Sequence, residues 1–155
     1  REDPSDADSF YNLGIALSAQ KDFEGSLVQY DQAIHLNPSD PMAFNKRGWV
    51  KINLKDMEGA IVDLKKATAL DPSYERAHMN LGYAYLETKK FTEAIAEFST
   101  VIGLNPDEAY AYHYRAQAKE AIGKKKEAKR DREEARKRGY KPELEPFRPS
   151  IPIVI

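Results

Sequence analysis

Leu81-Gly-Tyr-Ala-Tyr-Leu-Glu-Thr-Lys-Lys-Phe-Thr-Glu-Ala-Ile-Ala-Glu-Phe-Ser-Thr-Val-Ile-Gly-Leu-Asn-Pro106 is the stretch on which the fold turns. Met79, Gly82, Tyr83 and Leu86 recur at helical spacing, and so do Phe91, Ala94, Ile95, Phe98 and Ile102. The polar pair Lys89-Lys90 separates the two stripes, so the spacing predicts two helices joined by a very short turn. Asn105-Pro106 closes the second helix. Proline lacks the amide proton and disfavours helix in the residue before it.

Working outward, the same pattern repeats. Pro38, Pro72 and Pro106 follow Asn37, Asp71 and Asn105 at a constant spacing of 34 residues. Gly14, Gly48 and Gly82 keep that period, with Ala116 next in register. Ser26, Ala60, Ala94 and Ala128 form another set, and Ala33, Ala67, Val101 and Ala135 a third. A fixed period of this length marks a stacked-repeat architecture. Small residues belong where two closely linked antiparallel helices cross. Four copies fit, at about 7–40, 41–74, 75–108 and 109–139.

The composition limits the alternatives. At 155 residues the chain is one domain or one short array. It is 41% hydrophobic, too much for a disordered chain. Lys and Arg number 24 against 25 Asp and Glu, so no global field draws it to nucleic acid or an anionic membrane. The lack of cysteine removes disulfides, thiolate metal sites and cysteine nucleophiles. No apolar run approaches the ~18 residues of a membrane span. The first residue is Arg1 and no leader pattern follows it, which implies a fragment or a processed product. The compartment stays open: cytoplasmic by default, with an exported or periplasmic location as the alternative.

A 34-residue period with Leu81-Gly82, Tyr85, Ala94, Phe98 and Pro106 resembles the tetratricopeptide repeat (TPR) family. The first copy carries the same marks at Leu13-Gly14, Leu17, Ser26, Tyr30, Ala33 and Pro38. The resemblance implies an all-α right-handed superhelical solenoid of four helix-turn-helix repeats. The expected organisation is a TPR domain over residues 1–139 and an extended Pro-rich C-terminal tail over 140–155. It also implies a non-catalytic interaction scaffold that holds a protein or peptide segment in its concave groove.

Odd and even copies differ. Leu13 and Leu81 stand where the even copies have Arg47 and Arg115. Gln29 and Glu97 stand where the even copies have Asp63 and Asp131. Arg47 is therefore expected to pair with Asp63 and Arg115 with Asp131, each within one hairpin. In the fourth copy Lys125, Lys129, Arg136 and Arg138 replace Phe23, Leu27, Ile34 and Leu36 of the first. A polar outer face of that kind suits a terminal repeat, so the array is expected to end there. Lys124–Lys141 holds ten basic and four acidic residues, which raises nucleic-acid or anionic-membrane attachment as a weaker alternative. Pairing of Glu133 with Lys137 and Glu134 with Arg138 on a solvated helix is the simpler reading. Few aromatics there could stack on bases.

In the family, repeat positions 2, 5, 6, 9, 12 and 13 usually face the concave wall. The resemblance thus implies Tyr11, Asn12 and Ile15 from the first repeat, and Met42, Asn45, Lys46 and Trp49 from the second. Arg76, Met79, Asn80 and Tyr83 follow from the third, and Tyr110, His113, Tyr114 and Gln117 from the fourth. Aromatic and Met side chains are enriched in binding surfaces, and amides can bond a peptide backbone. The competing reading packs rings such as Trp49 and Tyr83 between neighbouring first helices. One TPR subclass clamps acidic chaperone tails with Lys and Asn residues. Here its places hold Tyr11, Ile15, Lys46, Arg76 and Asn80, and only Arg76 has suitable charge, so no such docking is expected.

Catalytic chemistry is not legible. His35 falls near a helix end, and His78 takes a packing position. Glu75-x-x-His78 is half of a di-iron motif with no second copy. No catalytic residue, metal or cofactor is expected. Pro142, Pro146, Pro149 and Pro152 favour an extended tail ending Ile151-Pro-Ile-Val-Ile. That tail could fold back over the last hairpin, enter a neighbour's groove, or serve as a short ligand motif. Self-assembly through groove and tail is the rival to the adaptor reading.

Overall fold

The computed structural model describes residues 4–142. Among them lie eight helices and no strand: α1 (Pro4–Ala19), α2 (Phe23–Leu36), α3 (Pro41–Asn53), α4 (Met57–Leu70), α5 (Glu75–Glu87), α6 (Phe91–Leu104), α7 (Ala109–Ala121) and α8 (Lys125–Lys137). Each odd helix packs on the next to form a hairpin, and the hairpins stack in chain order. This is an all-α repeat solenoid. Residues 143–155, on which the expectations for the tail fall, lie outside the described residues.

The punctuation follows from side-chain chemistry. Within a hairpin the turn needs one left-handed residue. Lys21, Lys55 and Lys89 take it with φ of 63°, 65° and 60°, and Gly123 with 82°. A non-glycine there costs about 1 kcal/mol, which the three earlier hairpins absorb. Asp22 and Asp56 then cap α2 and α4 by accepting from the Gly25 and Gly59 amides at 3.0 and 2.9 Å. Between hairpins Asn37, Asp71 and Asn105 accept from the amides of Ser39, Ser73 and Asp107, at 3.3, 2.9 and 3.2 Å. These Asx turns bend the chain over the following proline.

The small residues set how near the paired helices come. A Cβ added to Gly14, Gly48 or Gly82 would sit 2.7 Å from Tyr30, Leu64 or Phe98 respectively. The core continues across the stack through Leu64, Leu81, Phe98, Val101 and Tyr114. In the even hairpins charge takes part. Arg47 donates to both oxygens of Asp63, from Nε at 2.8 Å and Nη2 at 2.6 Å. Arg115 grips Asp131 in the same way at 2.9 and 2.8 Å. Both expected pairs therefore form, and Lys51 and Lys119 each add a contact of 2.8 Å to the same carboxylates.

One expected pair does not form. Lys137 reaches Glu134 at 2.8 Å, three residues back, instead of Glu133. Glu134 also takes Arg138, so its carboxylate sits between both cations. His35 lies exposed in the last turn of α2. His78 has a packing role, with Nδ1 at 2.7 Å from Glu97 Oε2 and Nε2 at 3.0 Å from the Pro72 carbonyl.

Candidate functional site

The first helices of the hairpins enclose a trough of about 600 Å³. α1 contributes Ile15, Ser18 and Ala19, with Tyr30 of α2 behind them. α3 adds Asn45, Lys46 and Trp49, and α5 adds Glu75, Arg76, Met79 and Asn80. Glu108 and Tyr110 close the end toward α7. Helical periodicity explains the selection, since residues three or four apart share one face.

Of the residues expected on the wall, the trough brings together Ile15, Asn45, Lys46, Trp49, Arg76, Met79, Asn80 and Tyr110. Tyr11, Asn12, Met42, Tyr83, His113, Tyr114 and Gln117 are not among the residues that line it. Tyr11 packs on Tyr30 with centroids 5.9 Å apart, and burial, aided by Tyr74, Tyr30 and Asp40, pushes its hydroxyl up to about 12. Tyr114 is 3% exposed and stacks on Phe98 at 5.7 Å. It is a core ring, and its place on the wall needs correction: its side chain turns into the α6–α7 seam. Tyr83 meets Tyr114 edge-on at 5.7 Å. His113 and Gln117 belong to a separate cluster with Tyr140.

The amides also do something other than expected. Asn80 Nδ2 donates to Asn45 Oδ1 at 2.9 Å, and Asn45 Nδ2 donates to the Tyr74 hydroxyl at 3.0 Å. Both asparagines are buried, so these bonds tie α3 to α5. They brace the trough floor; of the three asparagines, Asn12 is the exposed one.

Charge is the other feature of the site. Lys46 is half-buried, and burial together with the Arg76 charge lowers its affinity for a proton. Neither Lys46 nor Arg76 has an ion-pair partner among the described residues. The carboxylates that share the trough are engaged elsewhere. Glu75 accepts from Asn105 Nδ2 at 3.2 Å, and Glu108 caps α7 through the Tyr110 amide at 3.1 Å. Beside the two cations stand Trp49, edge-on to Phe23 at 5.9 Å, and the apolar Met79 and Ile15. An elongated ligand with an acidic group and apolar side chains matches this lining.

Ser18, Ala19, Tyr30, Glu75 and Glu108 were not expected in the site. Ser18 and Ala19 occupy repeat positions 12 and 13, so the family pattern contained the signal. Glu75 and Glu108 sit at repeat junctions, outside that pattern. Among the described residues no group of three or more His, Cys, Asp or Glu could hold a metal. Glu75 and His78 do not converge, because Glu75 faces the trough and His78 is held by Glu97. No described helix is long and apolar enough to cross a membrane.

Two family models described as tetratricopeptide repeat match the chain, over residues 52–130 and 7–40. The chain belongs to the tetratricopeptide repeat family. A search of curated proteins returns no match. Among solved structures, MamA is similar with a TM-score of 0.83 and 22% identity, over 88% of this chain and 80% of that one. The first TPR of Spaghetti (RPAP3), bound to the HSP90 peptide SRMEEVD, aligns with a TM-score of 0.77 and 23% identity, over 78% of this chain and 96% of that one. The Arabidopsis OM64 TPR domain gives 0.73 and 21%, over 76% and 97%. At these identities the likeness is one of fold.

Proposed function

We propose that this TPR array is a non-catalytic scaffold whose trough holds an extended peptide segment carrying an acidic side chain next to an apolar one. The observation that carries this reading is the pairing of Lys46 with Arg76, two cations that have no ion-pair partner among the described residues and stand beside Trp49 and Met79. Two neighbouring like charges repel, and a carboxylate placed between them relieves that repulsion. Trp49 and Met79 supply apolar contact area of the kind that anchors binding surfaces. In this reading residues 1–139 form the binding domain and 140–155 a separate segment.

The RPAP3 domain, with its bound acidic peptide, shows that a related fold can hold such a chain. Its occupant does not transfer to this protein, because the clamp places here hold Tyr11, Ile15, Lys46 and Asn80 along with Arg76. The preferred ligand is an internal acidic–apolar segment.

A displayed library of random peptides, selected on the full chain and followed by Trp49 emission, tests the reading. Selected peptides should share an Asp or Glu one or two residues from an aromatic or aliphatic side chain. Lys46→Ala with Arg76→Ala should weaken them about tenfold or more, since charge-assisted hydrogen bonds contribute about 1.5–3 kcal/mol each. Peptides without an acidic residue, binding equally to the double variant, would remove the proposal.

A further inference from the structure

The charge of the chain is unevenly placed. Its net charge is −1, yet Lys124–Lys141 holds ten basic residues and four acidic ones, so the remainder is acidic. α8 sorts its share onto two faces. Ala128, Asp131 and Ala135 are buried, and among the described residues α8 packs on α7 alone. At about 100° per residue, Lys125, Lys126, Lys129, Arg130, Arg136 and Lys137 fall together on the opposite side. All of them are exposed.

Ion pairing does not neutralise this outer face. Arg132 pairs with Glu120, Lys124 with Glu127, and Lys137 and Arg138 with Glu134. Lys125, Lys126, Lys129, Arg130 and Arg136 have no ion-pair partner among the described residues. Glu133 is the one carboxylate that shares their side of the helix. Like charges gathered in this way repel one another, and a polyanion laid across them relieves the repulsion.

The kind of polyanion follows from what the face lacks. It carries no Asn, Gln or aromatic residue, so it has nothing to read a base edge or to stack on a base. Recognition of a duplex by a helix requires that the helix sink into the major groove, whereas α8 is held along α7. A plane of anionic headgroups asks only for cations on one side of a straight element. α8 has 13 residues and offers about 20 Å of such an edge. Its buried alanines face the array, so the contact is made by charge and not by insertion.

We propose that the outer face of α8 is a docking surface for an anionic lipid bilayer, with Lys125, Lys126, Lys129, Arg130 and Arg136 against the headgroups. Each Lys or Arg near such a surface strengthens attachment about fivefold. No residue of α8 lines the trough, so a peptide and a bilayer would use different parts of the chain.

The test is cosedimentation of the full chain with vesicles of phosphatidylcholine, with or without phosphatidylserine. Binding is expected only with phosphatidylserine, and salt of about 1 M, which screens charges beyond about 3 Å, should release it. Lys126→Ala, Lys129→Ala and Arg130→Ala together should weaken it about a hundredfold, with circular dichroism unchanged. Lys125→Gln with Arg136→Gln, on the flank of the same face, should weaken it about twentyfold and serves if the triple variant fails to fold. Lys65→Ala with Lys66→Ala, exposed on α4, should leave it unchanged. Equal binding to pure phosphatidylcholine, no binding to either vesicle, or full binding by the α8 variants would overturn the proposal. Displacement from the vesicles by a mixed-sequence duplex at equal phosphate concentration would assign the face to nucleic acid and overturn it too.

Discussion

The second and third hairpins reach the same helix spacing by different chemistry. In the second, Gly48 lies under Leu64, and Arg47 and Lys51 converge on Asp63, which is 1% exposed. In the third, Gly82 lies under Phe98, Leu81 replaces the arginine in the core, and Glu97 turns to His78. The fourth hairpin repeats the charged solution with Arg115, Lys119 and Asp131. The register thus comes from the small residue at the crossing, while its neighbours can be ionic or apolar. The two solutions differ in how they respond to mutation and to acid.

The largest expected effect breaks the charged solution. Asp63→Ala leaves Arg47 and Lys51 without their buried carboxylate and should cost about 3–5 kcal/mol in urea unfolding. The matching change in the third hairpin, Glu97→Ala, should cost under about 1 kcal/mol, since that carboxylate is partly exposed. Equal losses would erase the contrast. Next comes the ring-filled solution. Gly82→Ala drives a Cβ into the buried Phe98 ring, at a cost of about 1–3 kcal/mol. The fourth hairpin already carries Ala116 at that place, because Arg132 stands there instead of a ring.

A smaller effect is read against pH. Burial alone would raise the Asp131 carboxyl, but hydrogen bonds and charge from Arg115 and Lys119 outweigh it and hold the group below its ordinary value. A depressed carboxylate contributes stability above its unfolded pKa of about 3.9, and loses it as pH falls through the folded value. Stability of the wild type should therefore fall below about pH 4, and Asp131→Asn should flatten that fall. A steeper acid loss in Asp131→Asn would refute the assignment. The smallest effect is a gain. Gly103 has nothing within 4 Å of an added Cβ, so Gly103→Ala should stabilise α6 by about 0.5–1 kcal/mol.

Most of the fold was legible because its causes are local and periodic. Asn-Pro and Asp-Pro turns, glycine crossings and two apolar stripes per copy state where each helix starts and stops. The Arg47–Asp63 and Arg115–Asp131 pairs were legible because they alternate with Leu in the same column. The site was less so. A ring at repeat position 6 sits on the seam between wall and core, and spacing alone does not say that Tyr114 turns onto Phe98. Nor does it show that Asn45 and Asn80 bond each other across two repeats, since that contact depends on the stacking distance. The Lys residues at positive φ have no sequence signal, because glycine is the expected occupant of such turns.

The most direct test of the ligand-holding trough is a map of amide and methyl shift changes as a library-selected acidic–aromatic peptide is added to the full chain. The largest changes should fall on Lys46, Trp49, Arg76 and Met79, and leave α8 and the outer faces of α4 and α6 unmoved. Largest changes on the basic α8, with Trp49 and Met79 silent, would contradict the account.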